Sequence, residues 1–315
     1  MDQPLTVVLL AGTLRPSPLR AALDVPVLRL PMGREGAVLD CWLRSMSDLE
    51  GLSEIQIVVN SDLDVQRLSP PISAPGDVPI RLRAEPASWR GAGGIVHDVM
   101  EDASLESIVI VAEANILPPS SLSPLLEAWS SGVGGLVGVG GVDEPAGVYV
   151  FTRHSFECVP PIGYFDLKEQ FLPALAREGV NVAPVPLGER MIRLRDRKSY
   201  LSAVRRSLQI EKDGGAARRV SSGASVSGSA MLDGFCIVEE GAVIEDGAVV
   251  HDTVVLSGAT IGGGAVVSRS IVGPLCAVAP RQRVVREVVF EARRREAGRQ
   301  RPRPRPVQQR GSGRS

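Results

Sequence analysis

Aliphatic side chains recur every six residues in the C-terminal part of this chain. Glycine and alanine fill most positions between them, and the series has occasional one-residue slips: Val220, Val226, Leu232, Val238, Ile244, Val250, Leu256, Ile261, Val267, Ile271 and Val278. A period of six fits neither an α-helix nor the simple alternation of a strand. It is typical of a solenoid whose coils have three flat faces, with one short strand and one tight turn per hexapeptide. The sequence therefore predicts a hexapeptide-repeat solenoid over residues 220–290, with about three to four coils.

Such a short solenoid has two open ends and a flat face. Exposed strand edges and apolar surface of this kind need to be covered. We therefore expect the solenoid to be buried against the rest of the chain or against a partner subunit, as in a homo-oligomer.

The residues before the repeat alternate between short apolar strands and helices. The pattern predicts strands at residues 6–10, 55–60, 79–83 and 107–112, and helices at residues 36–50 and 93–103. This alternation is typical of an α/β, Rossmann-like domain with a mostly parallel sheet and helices on both faces. In such sheets the ligand lies beyond the carboxyl ends of the strands, so we expect the site around residues 11–20 and 113–117.

Three further elements complete the predicted first domain. The run "AGVYVFT" predicts a strand at residues 146–152, and a helix is predicted over residues 165–179, with Asp166 as N-cap and Gly179 at its end. A last helix is predicted at residues 198–210. The sequence thus divides into an α/β domain (1–210), a polar linker (211–219), the solenoid (220–290) and an Arg/Pro-rich tail (291–315).

The formal net charge of −1 conceals an asymmetry. Residues 291–315 carry nine arginines and two acidic residues, which leaves 26 basic and 34 acidic residues in the rest of the chain. Arg-Pro repeats cannot offset the entropy lost on ordering, so we expect this tail to be disordered. Two roles stay open for it: contact with nucleic acids or other polyanions, and a solubilising extension.

The cysteines and the apolar runs indicate a compartment. The four cysteines lie far apart and form no CxxC pair: Cys41, Cys158, Cys236 and Cys276. This spacing argues against a zinc knuckle or a disulfide framework and favours a reducing, cytoplasmic location. No N-terminal signal pattern and no apolar run of membrane-spanning length occurs, so we expect no membrane association.

The order of these features resembles that of the sugar-1-phosphate nucleotidyltransferases, or NDP-sugar pyrophosphorylases. The resemblance covers about residues 5–290 and is carried by "LLAGTLRP", "AEPASWRGAGG", "IVIVAEANIL", "PAGVYVF", "FDLKEQFLPAL", the helix with Tyr200, and the repeat. It implies a nucleotide-diphospho-sugar transferase domain followed by a left-handed β-helix. Family members join a nucleoside triphosphate to a sugar 1-phosphate and release pyrophosphate, using a glycine-rich loop, an arginine, a lysine and two aspartates that hold Mg²⁺.

The loop of the family, G-x-G-T-R-L-x-P, is shortened here. The resemblance places Ala11, Gly12 and Thr13 at the nucleotide and makes Arg15 the stand-in for the catalytic loop arginine. With one glycine, fewer backbone N–H groups can turn toward a triphosphate. The lysine that follows in the family is Val25 in this chain, and a neighbouring arginine is not equivalent to a lysine there.

The segment that faces the base is partly kept. The resemblance places Glu85, Ala92 and Gly93 at the nucleotide, because Ala92 and Gly93 let a base approach the backbone. It assigns Gly147 and Lys168 to the sugar and phosphate side. The family's own sugar-contacting lysine, in F-x-E-K-P, is absent from the stretch between residues 117 and 145.

Both metal aspartates of the family are replaced. Asn115 stands at the first position, with Glu113 two residues earlier, and Arg193 stands at the second, with Asp196 three residues later. Asparagine ligates Mg²⁺ without contributing charge, and an arginine repels the ion. We therefore expect Mg²⁺, at Asn115 and Asp196, only if the protein is active, and otherwise no cofactor.

Three hypotheses remain open from the sequence. The first is a family member with a degenerate site. Such a protein would bind a nucleotide or sugar nucleotide, or would act as a regulatory subunit, in a homo-oligomer or in a complex with an active relative. The second is an active nucleotidyltransferase that uses Arg15, Asn115 and Asp196. The third is a hexapeptide acyltransferase with His251 as catalytic base, or a scaffold. His97 is expected to be a surface or half-buried residue rather than a general base.

Overall fold

A seven-stranded sheet forms the first part of the protein. The computed structural model describes residues 3–12, 17–33, 36–68, 75–85, 89–129, 133–141, 144–188, 191–210 and 217–290. The sheet has the order β3-β2-β1-β4-β6-β5-β7, and its strands are β1 Leu5–Leu10, β2 Leu52–Val59, β3 Ile80–Ala84, β4 Ile108–Glu113, β5 Gly135–Gly140, β6 Glu144–Thr152 and β7 Val182–Pro186. Strands β3, β2, β1 and β4 pair in parallel, whereas β6 runs antiparallel to both of its neighbours.

The central strands are apolar on both faces because both faces are covered. Val7 and Ile110 belong to one buried core cluster, and Val8 and Val109 belong to a second cluster on the opposite face. Continuous apolar runs of this kind are typical of parallel strands buried between two layers of helices. The α/β architecture with a mostly parallel sheet that the alternation predicted is therefore present.

Seven α-helices and four short helical turns occur in the described residues. The α-helices are α1 Pro18–Leu23, α2 Val38–Ser45, α3 Asp62–Leu68, α4 Gly91–Val99, α5 Ser123–Ala128, α6 Leu172–Arg177 and α7 Arg197–Ile210. The 3₁₀ turns are Val27–Arg29, Pro75–Asp77 and Arg153–Cys158, and a π-helical turn, Leu167–Phe171, precedes α6. Within this described part of the chain, none of the helices combines the length and the apolar character needed to cross a membrane.

The helix predicted over residues 165–179 consists of two pieces. Asp166 is the N-cap, as predicted, and its Oδ1 accepts hydrogen bonds from the backbone N–H groups of Lys168 and Glu169. The π-helical turn then leads into α6, which has Pro173 in its first turn. Proline fits that position because the first N–H groups of a helix have no partner within the helix.

Strands β5 and β7 were not predicted from the sequence. Strand β5 is rich in glycine, and β7 contains two prolines at the edge of the sheet, so both lack the usual strand composition. At Gly135 a Cβ atom would collide with the ring of Phe151, which explains why a glycine is needed there. Close packing, rather than strand propensity, determines this residue.

Short parallel strands stack in the second part of the protein, residues 217–290, here called the strand stack. Its strands are β8 Arg218–Val220, β9 Ser225–Val226, β10 Met231–Val238, β11 Val243–Ile244, β12 Val249–Val255, β13 Thr260–Ile261, β14 Val266–Ser268, β15 Ile271–Val272, β16 Ala277–Val278, β17 Arg283–Val285 and β18 Val288–Val289. Partner residues lie 17 or 18 positions apart, as in Val243–Thr260 and Met231–Val249. This spacing equals about three hexapeptides per coil; the handedness of the coils stays a prediction.

The residues that set the six-residue period differ in burial along the stack. Those from Val238 to Val278 are buried, whereas Val220 is 44% exposed and Val226 and Leu232 are half-buried. The three exceptions lie in the first coil, where within the described residues no earlier coil stacks on them. Apart from this first coil, the period therefore predicts the buried side chains of the stack.

One face of the strand stack is buried against the α/β part. Phe235, Ile237 and Val254 of the stack share a core cluster with Leu28 and Leu30 of the α/β part. Arg219 donates to the backbone carbonyls of Met32 and Gly36, and it also forms an ion pair with Glu239. The sequence predicted that a face of the solenoid is buried against the rest of the chain or a partner subunit, and the α/β part of the same chain buries at least part of that face.

Candidate functional site

A pocket lies beyond the carboxyl ends of β1 and β4, where the sequence predicted the site. This main pocket has a volume of about 250 Å³. It brings together five of the predicted residues, namely Gly12, Glu85, Ala92, Asn115 and Lys168. The other lining residues are Leu10, Val58, Gly91, Ile95, Glu113, Tyr164, Asp166 and Leu167.

Glu113 is an acid of the main pocket that pairs with two cationic side chains. Lys168 Nζ lies 2.5 Å from Glu113 Oε1, and a guanidinium nitrogen of Arg193 contacts Glu113 Oε2. The Tyr149 hydroxyl lies 3.5 Å from Glu113 Oε1. Burial works to raise the pKa of Glu113, but the hydrogen bonds and charges of Lys168 and Arg193 outweigh it and hold this pKa below its usual value. The carboxylate is therefore charged at neutral pH and both of its oxygens are engaged.

Three separate segments bring these partners together. Glu113 ends β4, and Lys168 lies in the turn that Asp166 caps. Arg193 lies in a segment that pairs with the chain just after β4: Leu194 N donates to the carbonyl of Asn115 (2.7 Å) and Arg193 bridges to Ile116. Arg193 therefore reaches Glu113 from a segment that is distant in sequence.

Gly147 supports Glu113 from behind. It has a left-handed φ of 73°, and a Cβ atom there would lie 3.2 Å from Glu113 Cδ. Only glycine combines this φ with so close an approach at little cost. The structure thus places Gly147 behind the carboxylate rather than in the lining of the main pocket.

The start of the loop after β1 is already bonded within the protein. The N–H groups of Ala11 and Gly12 both donate to the carbonyl of Val58, at 2.8 and 3.1 Å. A Cβ atom on Gly12 would overlap the carboxyl group of Glu85, whose pKa is raised by burial. These two amides are thus already engaged within the protein; Thr13 and Arg15 lie outside the described residues.

Helix α4 places Ala92 in the main pocket and Gly93 behind it. Arg90, at the start of this helix, forms a two-pronged ion pair with Asp98 (2.7 and 2.8 Å) and donates to the carbonyl of Gly163 (2.8 Å). A Cβ atom on Gly93 would lie 3.0 Å from the carbonyl oxygen of Phe165. Gly93 therefore serves close packing of α4 against the segment that carries Tyr164 and Lys168.

Asp196 lies away from the main pocket, at the start of α7. Its Oδ1 accepts hydrogen bonds from the backbone N–H and the hydroxyl of Ser199. The backbone hydrogen bond from Ser199 is the main reason that the pKa of Asp196 is lowered. Asp196 thus acts as a helix cap, and the structure does not bring it to the main pocket with Asn115.

The residues described at this place do not fit Mg²⁺. The ion prefers several charged oxygen ligands, whereas Glu113 is engaged by two cations and Asn115 is neutral. Among the described residues, no group of three or more His, Cys, Asp or Glu side chains is placed to hold a metal. Asn115 Oδ1 is buried without a hydrogen-bond partner in this part of the chain, so it contributes one isolated ligand at most.

The two histidines raised by the sequence are both held by carboxylates. His251 Nδ1 lies 2.9 Å from Asp233 and its Nε2 lies 3.2 Å from Asp252, so each ring nitrogen faces a carboxylate. His97 is partly buried, as expected, and its Nδ1 lies 3.1 Å from Asp98.

Sequence reasoning placed Lys168 at the site but missed that Lys168 and Arg193 both pair with Glu113. It treated Arg193 as a residue that repels a metal and did not pair it with Glu113. Glu113 and Asn115 lie two residues apart at the end of β4, and this spacing indicated from the sequence that an acidic side chain lies at the site. Its partners come from distant segments, and that pairing leaves no local pattern.

Two of the comparisons with known proteins give matches. A model of the GMPPB C-terminal domain matches residues 217–293. The solved structure of HddC from Yersinia pseudotuberculosis superposes with a TM-score of 0.49 and 16% sequence identity, over 64% of this chain and 98% of that chain. The sequence has no significant match among curated proteins. The strand stack of this protein is therefore similar in sequence to the C-terminal domain of the GMPPB family.

Proposed function

We propose that this protein is related to the sugar nucleotidyltransferases and binds a nucleotide or sugar nucleotide in the main pocket without Mg²⁺-dependent transfer. It acts as a binding or regulatory subunit, with further copies of itself or with an active relative. The match to the GMPPB C-terminal domain supports the sugar-nucleotidyltransferase relation. The resemblance of the α/β part supports the choice of ligand.

The observation that carries the proposal is the double engagement of Glu113. Lys168 and Arg193 hold both carboxylate oxygens, and Arg193 itself stands where the family pattern has an aspartate. A Mg²⁺ ion would have to displace an ammonium and a guanidinium group from this acid and would gain only one charged ligand. Binding without the metal is therefore the chemistry that these residues favour.

The main pocket offers hydrogen-bond partners for a hydroxylated ligand. Glu85 and Asp166 present carboxyl oxygens that accept from ribose or sugar hydroxyl groups, and Tyr164 adds an aromatic surface. The Lys168 side chain is 44% exposed, so its ammonium group is accessible to an anionic group of the ligand.

Calorimetric titration of the full-length protein with GDP-, UDP- and ADP-sugars tests this function. We expect at least one of them to bind with the same Kd in Mg²⁺ and in EDTA, with no pyrophosphate released from mixtures of nucleoside triphosphates and sugar 1-phosphates. Lys168→Ala should weaken binding about tenfold, which corresponds to about 1.4 kcal/mol. Lys198→Ala removes an exposed lysine outside the pocket lining and is the matched control.

Two results would contradict the proposal. Rapid, Mg²⁺-dependent release of pyrophosphate would favour the active nucleotidyltransferase. If no nucleotide or sugar nucleotide bound to the protein, the ligand proposed for the main pocket would be wrong.

A further inference from the structure

Arg90 is a buried cation that does not itself line the main pocket. It precedes helix α4 and is 5% exposed. Its Nε and Nη2 donate to the two carboxylate oxygens of Asp98, at 2.8 and 2.7 Å, and its Nη1 donates to the carbonyl of Gly163 at 2.8 Å. Burial works to raise the pKa of Asp98, but the hydrogen bonds from Arg90 and His97 outweigh it and lower this pKa. Asp98 is therefore ionised at neutral pH, and all three guanidinium nitrogens of Arg90 are engaged.

The segment that Arg90 reaches, residues 160–165, contains no helix or strand, and residues 160–164 are exposed. In the described part of the chain, its hydrogen bonds to other elements all lead to the start of α4. Besides the bond from Arg90 to Gly163, the N–H of Phe165 donates to the carbonyl of Arg90 (2.8 Å), and the N–H of Gly94 donates to the carbonyl of Phe165 (3.1 Å). Phe165 also packs against a core cluster. Gly163 and Tyr164 have no such packing, so their position depends on Arg90.

The same segment leads into one wall of the main pocket. Tyr164 lines the pocket, and Asp166 caps the turn in which Lys168 lies. Lys168 Nζ reaches Glu113 at 2.5 Å. Side chains of a binding site keep their geometry only where neighbouring residues hold them in place. A shift of the chain at Gly163 would therefore move Tyr164 and change the reach of Lys168.

Stability alone does not account for the buried pair of Arg90 and Asp98. Taking two charges out of water offsets most of their attraction, so such pairs contribute little net stability. What the pair does provide is orientation, because a planar guanidinium group bonds a carboxylate through two nitrogens and leaves the third in a fixed direction. With Nε and Nη2 on Asp98, Nη1 is directed at the carbonyl of Gly163.

We propose that Arg90 is a positioning residue of the main pocket. Oriented by Asp98, it holds residues 163–168 in the place where Tyr164 lines the pocket and Lys168 meets Glu113. The position of Lys168 is a property of the protein alone, whereas its effect on ligand affinity rests on the function proposed above.

Labelling of the lysine amines of the full-length protein, measured by mass spectrometry, tests the position of Lys168 without any ligand. The chain has only three lysines, and Lys198 lies on α7 outside the pocket lining, so it serves as the internal reference. Arg90→Lys keeps the positive charge but cannot make all three hydrogen bonds of the guanidinium group. We expect the labelling of Lys168 relative to Lys198 to rise about threefold, because the ion pair with Glu113 is lost.

Two further variants separate positioning from stability. Asp98→Asn removes the charge that orients Arg90, so it should raise the labelling ratio in the same direction. Combined with Arg90→Lys it should add little, because both substitutions act through one pair. Arg153→Lys is the matched control, since Arg153 is 7% exposed and donates to the carbonyl of Met100 at 2.8 Å. In the described chain none of its hydrogen bonds goes to residues 160–168, so this variant should lower the unfolding midpoint and leave the ratio unchanged.

An unchanged labelling ratio in both Arg90→Lys and Asp98→Asn would overturn the inference, and so would an equal rise in Arg153→Lys. Titration with the same sugar nucleotides separates this inference from the proposed function. A raised ratio in a protein that binds none of them would support the positioning role and reject that function. Sugar-nucleotide binding that Arg90→Lys leaves unchanged, together with an unchanged ratio, would reject the positioning role alone. If both hold, Arg90→Lys should weaken binding toward the level of Lys168→Ala.

Discussion

Glu113 shows how the environment of one side chain decides its chemistry. An isolated carboxylate at the end of β4 would attract a cation from solution. Here Lys168 and Arg193 supply two cations from the chain itself, and they keep Glu113 ionised in spite of its burial. The consequence is a charged but satisfied acid in the main pocket, and its contribution to stability depends on pH.

Glu113→Gln should lower the free energy of unfolding by about 1–3 kcal/mol at pH 7, because Lys168 and Arg193 lose their shared anion. The pKa of Glu113 is lowered by folding, so this stabilisation is present above the ordinary pKa of 4.5 and is lost as the pH falls through the lower, folded-state value. Urea unfolding of both proteins at pH 7, 5 and 3.5 should therefore show the difference shrinking at the lowest pH. A difference in unfolding free energy that stayed constant with pH would contradict this prediction. Glu157→Gln, which changes an exposed acid, is the control.

Gly147→Ala tests the support behind Glu113. The methyl group would occupy a left-handed backbone position and press on Glu113, so we expect a loss of about 2–3 kcal/mol, of which about 1 kcal/mol comes from the backbone. Gly179→Ala has a similar φ of 77° but open space around its Cβ, and it should lose only the backbone part. Thermal unfolding of the two variants measures the difference. If both variants lost the same unfolding free energy, the contact between the new methyl group and Glu113 would not affect stability.

At the start of β12 only one face of the strand is buried. Val250 is fully buried, whereas its neighbour Val249 points to the opposite face and is half-buried. Their side chains alternate because successive residues of a strand point to opposite sides. The six-residue period of the sequence follows the buried member of such pairs.

Val250→Ala should therefore cost about 2 kcal/mol of unfolding free energy, because it removes two buried methyl groups and leaves a cavity. Val249→Ala, one residue earlier on the same strand, should cost less than about 1 kcal/mol. Chemical denaturation of the two variants gives both values. A larger effect at Val249 would mean that the inward face of the stack is assigned incorrectly.

The whole molecule is held together by a core that crosses from the strand stack into the α/β part. Phe235 of β10 is 6% exposed and belongs to the same cluster as Trp42 of α2. Parts that share one apolar core unfold together, because separating them exposes that surface. The domain boundaries expected from the sequence therefore do not by themselves imply separate unfolding.

Phe235→Ala should lower the midpoint of unfolding of the entire chain and cost about 3–5 kcal/mol. Tryptophan fluorescence, in which buried Trp42 reports on the α/β part, and circular dichroism should give the same midpoint. Phe290→Ala is the matched control, since Phe290 also lies in the strand stack and is 52% exposed. Two separate transitions in the native protein would contradict the shared core.

Local patterns in the sequence were sufficient for several parts of this structure. Alternating strands and helices predicted the parallel sheet, because burial between helical layers demands continuous apolar strands. Asp166 was identified as an N-cap since capping depends on only three or four neighbouring residues. The ends of β1 and β4 also placed the main pocket, because ligands bind at the carboxyl ends of parallel strands.

Contacts between distant segments decided the rest. The partners of Glu113, the position of Gly147 behind it and the bond from Arg90 to Gly163 each depend on residues that meet only after the sheet has formed. A charge in a sequence has no fixed meaning until its neighbours and its burial are known, because they set its pKa and its available ligands. The sequence therefore determined the central strands and the edge of the sheet at which the site lies, and the tertiary structure determined what chemistry that site can perform.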